Sequence, residues 1–268
     1  MKAEKKKIAI ITGASAGLGK EFARQMEKKY FIDEVWLIAR RESPLRELAK
    51  EFKKSVGVPI ALDLTNQGDI KELQKRLETE EPEVMFLVNN AGYGKIGPFE
   101  SLGLEEQLQM IDLNVRTLTE LSYICLPFMN EGANLVQVAS SIAYAPAPFF
   151  AVYAATKSYV LSFSNALNYE LRERGIHVLA VCPGPVETEF FSVAQKSELS
   201  KGSSSEAKPF NEGLMAKPEQ VVARALKDLD KKKMKSIYGL PIKFFTTFVS
   251  FIPKEIVLKA LSQRNKRG

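Results

Sequence analysis

Residues 7–29 read KIAIITGASAGLGKEFARQMEKK: an apolar run, a glycine-rich turn and a segment of helical period, in that order. Ile8 to Ile11 has no polar interruption, as a strand buried on both faces requires. Thr12-Gly13-Ala14-Ser15-Ala16-Gly17-Leu18-Gly19 then opens directly into the helix. Glycines let a backbone turn tightly and approach a pyrophosphate, and a helix N-terminus offers it unpaired N–H groups and a positive dipole end. Strand before, helix after and first place in the chain form the context in which such a loop holds a dinucleotide. Gly13, Ser15, Gly17, Leu18 and Gly19 are therefore assigned to cofactor binding.

Outward from this unit the same alternation repeats. Val- and Ile-rich runs at 34–39, 58–62, 84–88, 134–139 and 176–181 are separated by helical periods at 43–54, 67–77, 104–129 and 152–174, the first helix being 18–29. This predicts an α/β fold, a doubly wound parallel sheet of the Rossmann kind, forming one domain over residues 1–240. Such sheets bind ligands beyond the carboxyl ends of their strands. At that edge, residues 187–217 lose both periods around Gly202-Ser203-Ser204-Ser205 and read as a substrate lid, or else as a solvated loop. A helix at 218–229 and a strand at 236–239 close the domain, leaving a C-terminal tail, 241–268.

The composition, 45% apolar and 26% charged over 268 residues, is globular. Cys125 and Cys182 lie far apart, without the spacing of a zinc site or disulfide framework, and the lone His177 has no metal-binding company, so no metal is expected. With no secretory signal and no run of spanning length, the expected location is cytoplasmic. The net charge of +6 raises the question of nucleic acid. Ten Lys or Arg against Glu255 alone occupy 231–268, however, so the basic charge belongs to the tail and no nucleic-acid partner is expected.

The second strand ends in Ala39-Arg40-Arg41, where a nucleotide with free ribose hydroxyls would want an acid. Guanidinium groups there suit a 2′-phosphate, so Arg40 and Arg41 predict NADP(H). Tyr153 and Lys157 stand four apart at the start of a helical period and share a face. An ammonium there is expected to lower the tyrosine pKa from about 10 and make the phenol a usable acid or base. Ser140 and Ser141 follow the fifth strand, Asn89-Asn90-Ala91-Gly92 the fourth, and Asn114 lies in the long helix between them.

With these residues the chain resembles the short-chain dehydrogenase/reductase family over about 7–240, through the glycine loop, Asp63, Asn89 to Gly92, Asn114, the serine pair, Tyr153-Ala154-Ala155-Thr156-Lys157 and Pro183-Gly184-Pro185-Val186-Glu187-Thr188. The resemblance implies that Asn114, Ser140, Tyr153 and Lys157 form a catalytic tetrad. It implies that Asp63 contacts adenine, that Asn89, Ala91 and Gly92 support the cofactor pocket, and that Pro183, Gly184, Val186 and Thr188 run along the nicotinamide, with Tyr153 and Lys157 also at the cofactor. Ser140 lies thirteen residues before Tyr153, the family spacing, whereas the family's double-serine motif favours Ser141; spacing is followed. In the implied mechanism Ser140 and Tyr153 hold the substrate oxygen, hydride reaches the carbonyl carbon, and Tyr153 supplies the proton. Asn114 would anchor a relay water.

The apolar run Ala145-Pro146-Ala147-Pro148-Phe149-Phe150 favours a small lipophilic ketone, aldehyde or alcohol, hydroxysteroid-type or 3-oxoacyl, over an acyl-carrier-protein substrate. A non-enzymatic dinucleotide sensor, or a scaffold at a membrane surface, is the rival class. The resemblance further implies a homodimer or homotetramer joined through the helices at 104–129 and 152–174. In the tail, Phe244, Phe245, Phe248, Val249 and Ile252, then Ile256, Val257, Ala260 and Leu261, recur at helical spacing among Lys254, Lys259 and Arg264. They predict two short amphipathic helices, packed on the protein or lying peripherally on an anionic membrane.

Overall fold

The computed structural model of the chain describes residues 5–195 and 215–265. Seven parallel strands form one sheet in the order β3-β2-β1-β4-β5-β6-β7. They are β1 (Lys7–Thr12), β2 (Glu34–Ala39), β3 (Val56–Ala61), β4 (Glu83–Asn89), β5 (Asn134–Val138), β6 (His177–Val181) and β7 (Lys235–Ser236). The helices are α1 (Gly17–Lys29), α2 (Glu42–Lys50), α3 (Gln67–Glu80), α4 (Leu104–Ile111), α5 (Leu118–Cys125), α6 (Ala151–Glu170), α7 (Phe190–Gln195), α8 (Pro218–Asp230), α9 (Leu240–Phe248) and α10 (Lys254–Asn265). The doubly wound α/β sheet expected from the sequence is thus present.

Alternation along β1 shows why the strands read as unbroken apolar runs. Ala9 and Ile11 join a core with Phe22, Met26 and Leu226, while Ile8 and Ile10 join another with Ile70, Leu73 and Leu121. Side chains of a strand alternate between faces, so a sheet covered by helices on both sides needs apolar residues at every position.

Boundaries depart from expectation for local reasons. Helix α2 stops at Lys50 rather than continuing to 54, because the buried Glu27 carboxylate accepts the backbone N–H groups of Lys53 and Lys54. The predicted single helix over 104–129 is α4 and α5 joined by a π-helical stretch, Asp112–Thr117, and ended by a 3₁₀ turn, Leu126–Phe128, containing Pro127. Helix α6 ends at Glu170, short of 174, and the chain turns at Gly175, whose φ is +67°. Strand β7 lies a residue earlier than predicted and is shorter.

Of the expected lid at 187–217, residues 196–214 lie outside the described residues; the part before them contains α7. The tail forms the two short helices its periodicity predicts, α9 and α10, joined by a 3₁₀ turn, Val249–Phe251. Among the described residues no helix is long and apolar enough to cross a membrane.

The sheet's topological switch falls between β1 and β4, and a side-chain clamp joins their ends. The buried Thr12 hydroxyl accepts the N–H groups of Asn90 and Ala91, each at 2.9 Å, and donates to the Val88 carbonyl at 3.3 Å. In return Asn90 Nδ2 donates to the carbonyls of Thr12 at 2.9 Å and Gly13 at 3.3 Å. Removing these donors should destabilise the fold by about 1–3 kcal/mol. Urea unfolding of Asn90→Ala should show that loss, and Asn90→Asp, whose carboxylate cannot donate, should not restore it.

Candidate active site

Beyond the carboxyl ends of the strands lies one long crevice of about 1690 Å³, running from Arg40 and Asp63 to Phe149, Phe190 and Val193. Its floor at the first end is the glycine loop. A Cβ on Gly13 would stand 2.6 Å from Asn90 Nδ2, and one on Gly19 would collide with the Gly13 carbonyl, so backbone alone fits here. Helix α1 has no acid in its first turn and no side-chain cap, which leaves its N-terminal N–H groups for a ligand. Gly13, Ser15, Gly17 and Leu18 line the crevice, with Gly19 packed just beneath. A chain of bare backbone at a helix N-terminus, followed by cations, suits the pyrophosphate and phosphate of a dinucleotide.

Arg40 and Arg41 both face this end. Arg41 donates to Ser15 Oγ at 3.3 Å and pairs with Glu189 at 2.9 Å, so it ties the glycine loop to the residue before α7. Asp63 accepts from the Thr65 N–H at 3.0 Å and hydroxyl at 2.7 Å. Partial burial opposes its ionisation, but Thr65 and the nearby Arg40 outweigh that and hold the carboxyl below its usual range. Ala91 and Gly92 line the middle of the crevice, with Pro183, Gly184, Val186 and Thr188 also on its wall. Val186 is steadied by a parallel bridge to Ala216, and Thr188 meets Gly17.

Asn89 is the exception. It lies within β4 paired with Gln137, and its amide donates to Ser122 Oγ at 3.1 Å, toward α5 and away from the crevice. The expectation that Asn89 supports the pocket is corrected to Asn90, the crevice residue of the clamp.

At the centre, Tyr153 on the first turn of α6 is buried between Phe150 and Phe190, ring centroids 4.6 and 5.3 Å away. Of the serine pair it is Ser140 that lies beside its hydroxyl, while the Ser141 backbone N–H donates to the Pro183 carbonyl at 2.8 Å. Ser140 is fixed in turn by accepting the Ile142 N–H at 3.3 Å, which caps the 3₁₀ turn after β5. Burial pushes the Tyr153 phenol well above its ordinary value, and Ser140 only partly offsets this. Lys157, one turn on, donates to the Val138 carbonyl at 2.7 Å, and burial pulls it down to about 8. The expected lowering of the tyrosine by its ammonium is therefore not what this site shows: burial disfavours the charged form of both groups.

Asn114 stands behind the first turn of α6. It is buried in the π-helical stretch, off the crevice wall, with Oδ1 accepting the Tyr93 N–H at 3.1 Å and Nδ2 donating to the Tyr93 carbonyl at 2.9 Å and Thr156 Oγ1 at 3.1 Å. Thr156 itself donates to the Tyr153 carbonyl at 2.7 Å. These bonds make the Asn114 side chain a brace for the turn carrying Tyr153.

The far end of the crevice is apolar, lined by Ile96, Phe149, Phe150, Phe190, Val193 and Phe245. Phe149 holds φ +64°, a left-handed conformation foreign to a bulky side chain, while its carbonyl accepts the Gly97 N–H at 2.9 Å. Sequence reasoning missed Phe190 and Glu189; their only signal was that they stand at the start of the aperiodic stretch after β6. His177 is engaged at both ring nitrogens, by Asn168 and the Lys233 carbonyl.

Comparison with known proteins agrees with this geometry. The model of the short chain dehydrogenase family matches residues 7–199. Sulfoacetaldehyde reductase 2 of Chromohalobacter salexigens is 35% identical over 191 residues, 68% of this chain and 74% of that protein. A short-chain dehydrogenase from Sphingobium yanoikuyae, solved in complex with NADPH, is 28% identical with a TM-score of 0.71, covering 88% of each chain. The 3-ketoacyl-(acyl-carrier-protein) reductase from Brucella melitensis, solved with NADH, is 25% identical with a TM-score of 0.70, covering 87% of this chain and 95% of that one. A seven-stranded doubly wound sheet, a glycine loop at its switch point and a Ser-Tyr-Lys cluster beside it make this chain a member of the short chain dehydrogenase family.

Proposed function

We propose that the chain reduces a lipophilic ketone or aldehyde with NADPH, and oxidises the alcohol in reverse, with Tyr153 as general acid and base. The observation that carries this reading is the crevice itself. A buried proton donor, the Tyr153 hydroxyl with Ser140 beside it, stands between a basic, backbone-lined end and an aromatic end.

A nicotinamide nucleotide held along the glycine loop, Asp63, Ala91, Gly92 and the 183–188 wall would supply the hydride. The protein does the rest. Ser140 and Tyr153 both line the crevice, and a carbonyl oxygen held by their two hydroxyls would accept a hydrogen bond from each. Because burial keeps Tyr153 protonated, it is in the right state to donate as negative charge develops on that oxygen. The phenolate left behind gains from the Lys157 ammonium on the same helix face, a stabilisation needed only after the proton has moved. Lys157 also holds the Val138 carbonyl, so its loss would disturb the site as well as the charge.

The nucleotide preference rests on Arg40 and Arg41, with no carboxylate at the end of β2 to receive a ribose 2′-hydroxyl. The substrate class rests on the aromatic end, where Phe149 is held toward the crevice at the expense of backbone strain. A homo-oligomer is supported by the apolar residues that α4, α5 and α6 leave exposed, among them Leu104, Leu108, Tyr123, Tyr159 and Tyr169.

Replacing Tyr153 by Phe removes the transferable proton and keeps the ring. Turnover should fall about 10²-fold or more with NADPH affinity little changed, as read by nucleotide titration and initial rates; a near wild-type rate would remove Tyr153 as the acid. Arg40→Ala should weaken NADPH by about ten- to hundredfold while NADH changes little, from the loss of a charge-assisted contact of ~1.5–3 kcal/mol. Equal or tighter binding of NADH by the unaltered chain would overturn the preference. Phe149→Gly should leave the urea midpoint equal or higher, since ~1–3 kcal/mol of strain is relieved, yet raise KM for a lipophilic ketone about tenfold.

A further inference from the structure

Helix α9 is apolar on two sides, and only one of them is covered. Ile242, Thr246 and Val249, spaced four and three apart, form the inner stripe: Ile242 lies against Gly184, Thr246 is buried, and Val249 packs with Tyr144, Ala145 and Val257. Leu240, Phe244, Phe248 and Phe251, spaced four, four and three apart, form a second stripe that is 83%, 65%, 49% and 81% exposed. The rings of Phe244 and Phe248 pack against each other, centroids 4.2 Å apart and tilted by 36°. Ile252 and Ile256 are exposed as well. Three exposed phenylalanines within eight residues are a patch that asks for cover.

The charge around the patch selects the cover. Residues 231–254 contain no acid, and the whole stretch to the C-terminus sets ten Lys or Arg against Glu255. Lys243 and Lys254, both exposed, flank the aromatic stripe. A second copy docked on the same face would bring this cationic stretch against itself, which costs free energy, whereas anionic headgroups complement it. Nine residues cannot span a bilayer, but an aromatic stripe edged by lysines is the pattern of a helix lying in the headgroup region. We propose that the outer face of α9 and the turn after it docks the protein on an anionic lipid surface. Phe245, between the two stripes, lines the crevice, so docking sets the crevice mouth beside the membrane. The proposal depends on the tail alone and stands or falls apart from the reading of the crevice.

Vesicle cosedimentation of the full chain tests it, with phosphatidylcholine alone and with equal parts phosphatidylcholine and phosphatidylglycerol. The wild-type chain should pellet with the anionic vesicles at low salt, not with the neutral ones, and should be released as salt rises. Phe244→Ser/Phe248→Ser/Phe251→Ser should lower partitioning at least about tenfold, with an unchanged thermal midpoint and unchanged NADPH binding. Should that variant misfold, Lys243→Gln/Lys254→Gln provides the second arm, with a loss of about fivefold per lysine. The proposal is overturned if wild-type chain stays in the supernatant with anionic vesicles at low salt, or if neither folded variant binds less. It is equally overturned if sedimentation velocity shows an oligomer that the serine variant dissolves, since the stripe would then be an interface between copies.

Discussion

Asn90 and Thr12 exchange hydrogen bonds across the gap between β1 and β4, and most of what this protein can do depends on that exchange. Helices leave the two strands for opposite faces of the sheet, so the ends of the strands part and a crevice opens between them. Without a clamp, the glycine loop after β1, whose left-handed φ values glycine adopts at least cost, would have no fixed shape. The clamp holds Gly13 by its carbonyl and thereby sets the bare backbone against which a pyrophosphate can rest. The segment just after β4 contributes Ala91 and Gly92 to the same wall, so one interaction positions two sides of the site.

The electrostatics of the centre follow from burial more than from pairing. Tyr153 and Lys157 share a helix face, yet the Lys157 ammonium donates to the Val138 carbonyl, while the Tyr153 ring packs between Phe150 and Phe190. Each group is kept toward its neutral form. That is a useful resting state for a proton donor, because the phenol is loaded and the charge that would stabilise its conjugate base lies one helical turn away. Asn114 shows the structural counterpart of this tuning. By bridging Tyr93 to Thr156 it fastens the first turn of α6, and so the direction of the Tyr153 ring, to the π-helical stretch.

Much of this was legible in the sequence because a parallel sheet covered on both faces writes itself as apolar runs, and because chemistry collects at the strand ends. The strands, the glycine loop and the serine pair at a strand end follow from that rule, whereas the choice of Ser140 and its grouping with Tyr153 and Lys157 came with the family resemblance. What was not legible turned on single-residue geometry. Asn89 and Asn90 are identical in type, and only the point where β4 ends decides which faces the crevice: the last residue inside the strand turns to the helix layer, the next one to the ligand edge. The π-helical stretch carries no Pro or Gly to announce it. Spacing of four placed Lys157 beside Tyr153 but could not say where its Nζ would find a carbonyl. In the tail, periodicity foretold two helices but not that α9 would bury its narrower stripe and leave the phenylalanines outside.

We read a buried, protonated Tyr153 between a nucleotide end and an aromatic end as the mark of a carbonyl reductase rather than of a protein that only binds a nucleotide. That reading is tested most directly by following NADPH oxidation by the purified chain over ketosteroids, medium-chain ketones, aldehydes and acyl thioesters. The account predicts saturable oxidation with a lipophilic ketone or aldehyde. Tight NADPH binding with no oxidation in any of the four classes would contradict it and place the chain among dinucleotide sensors.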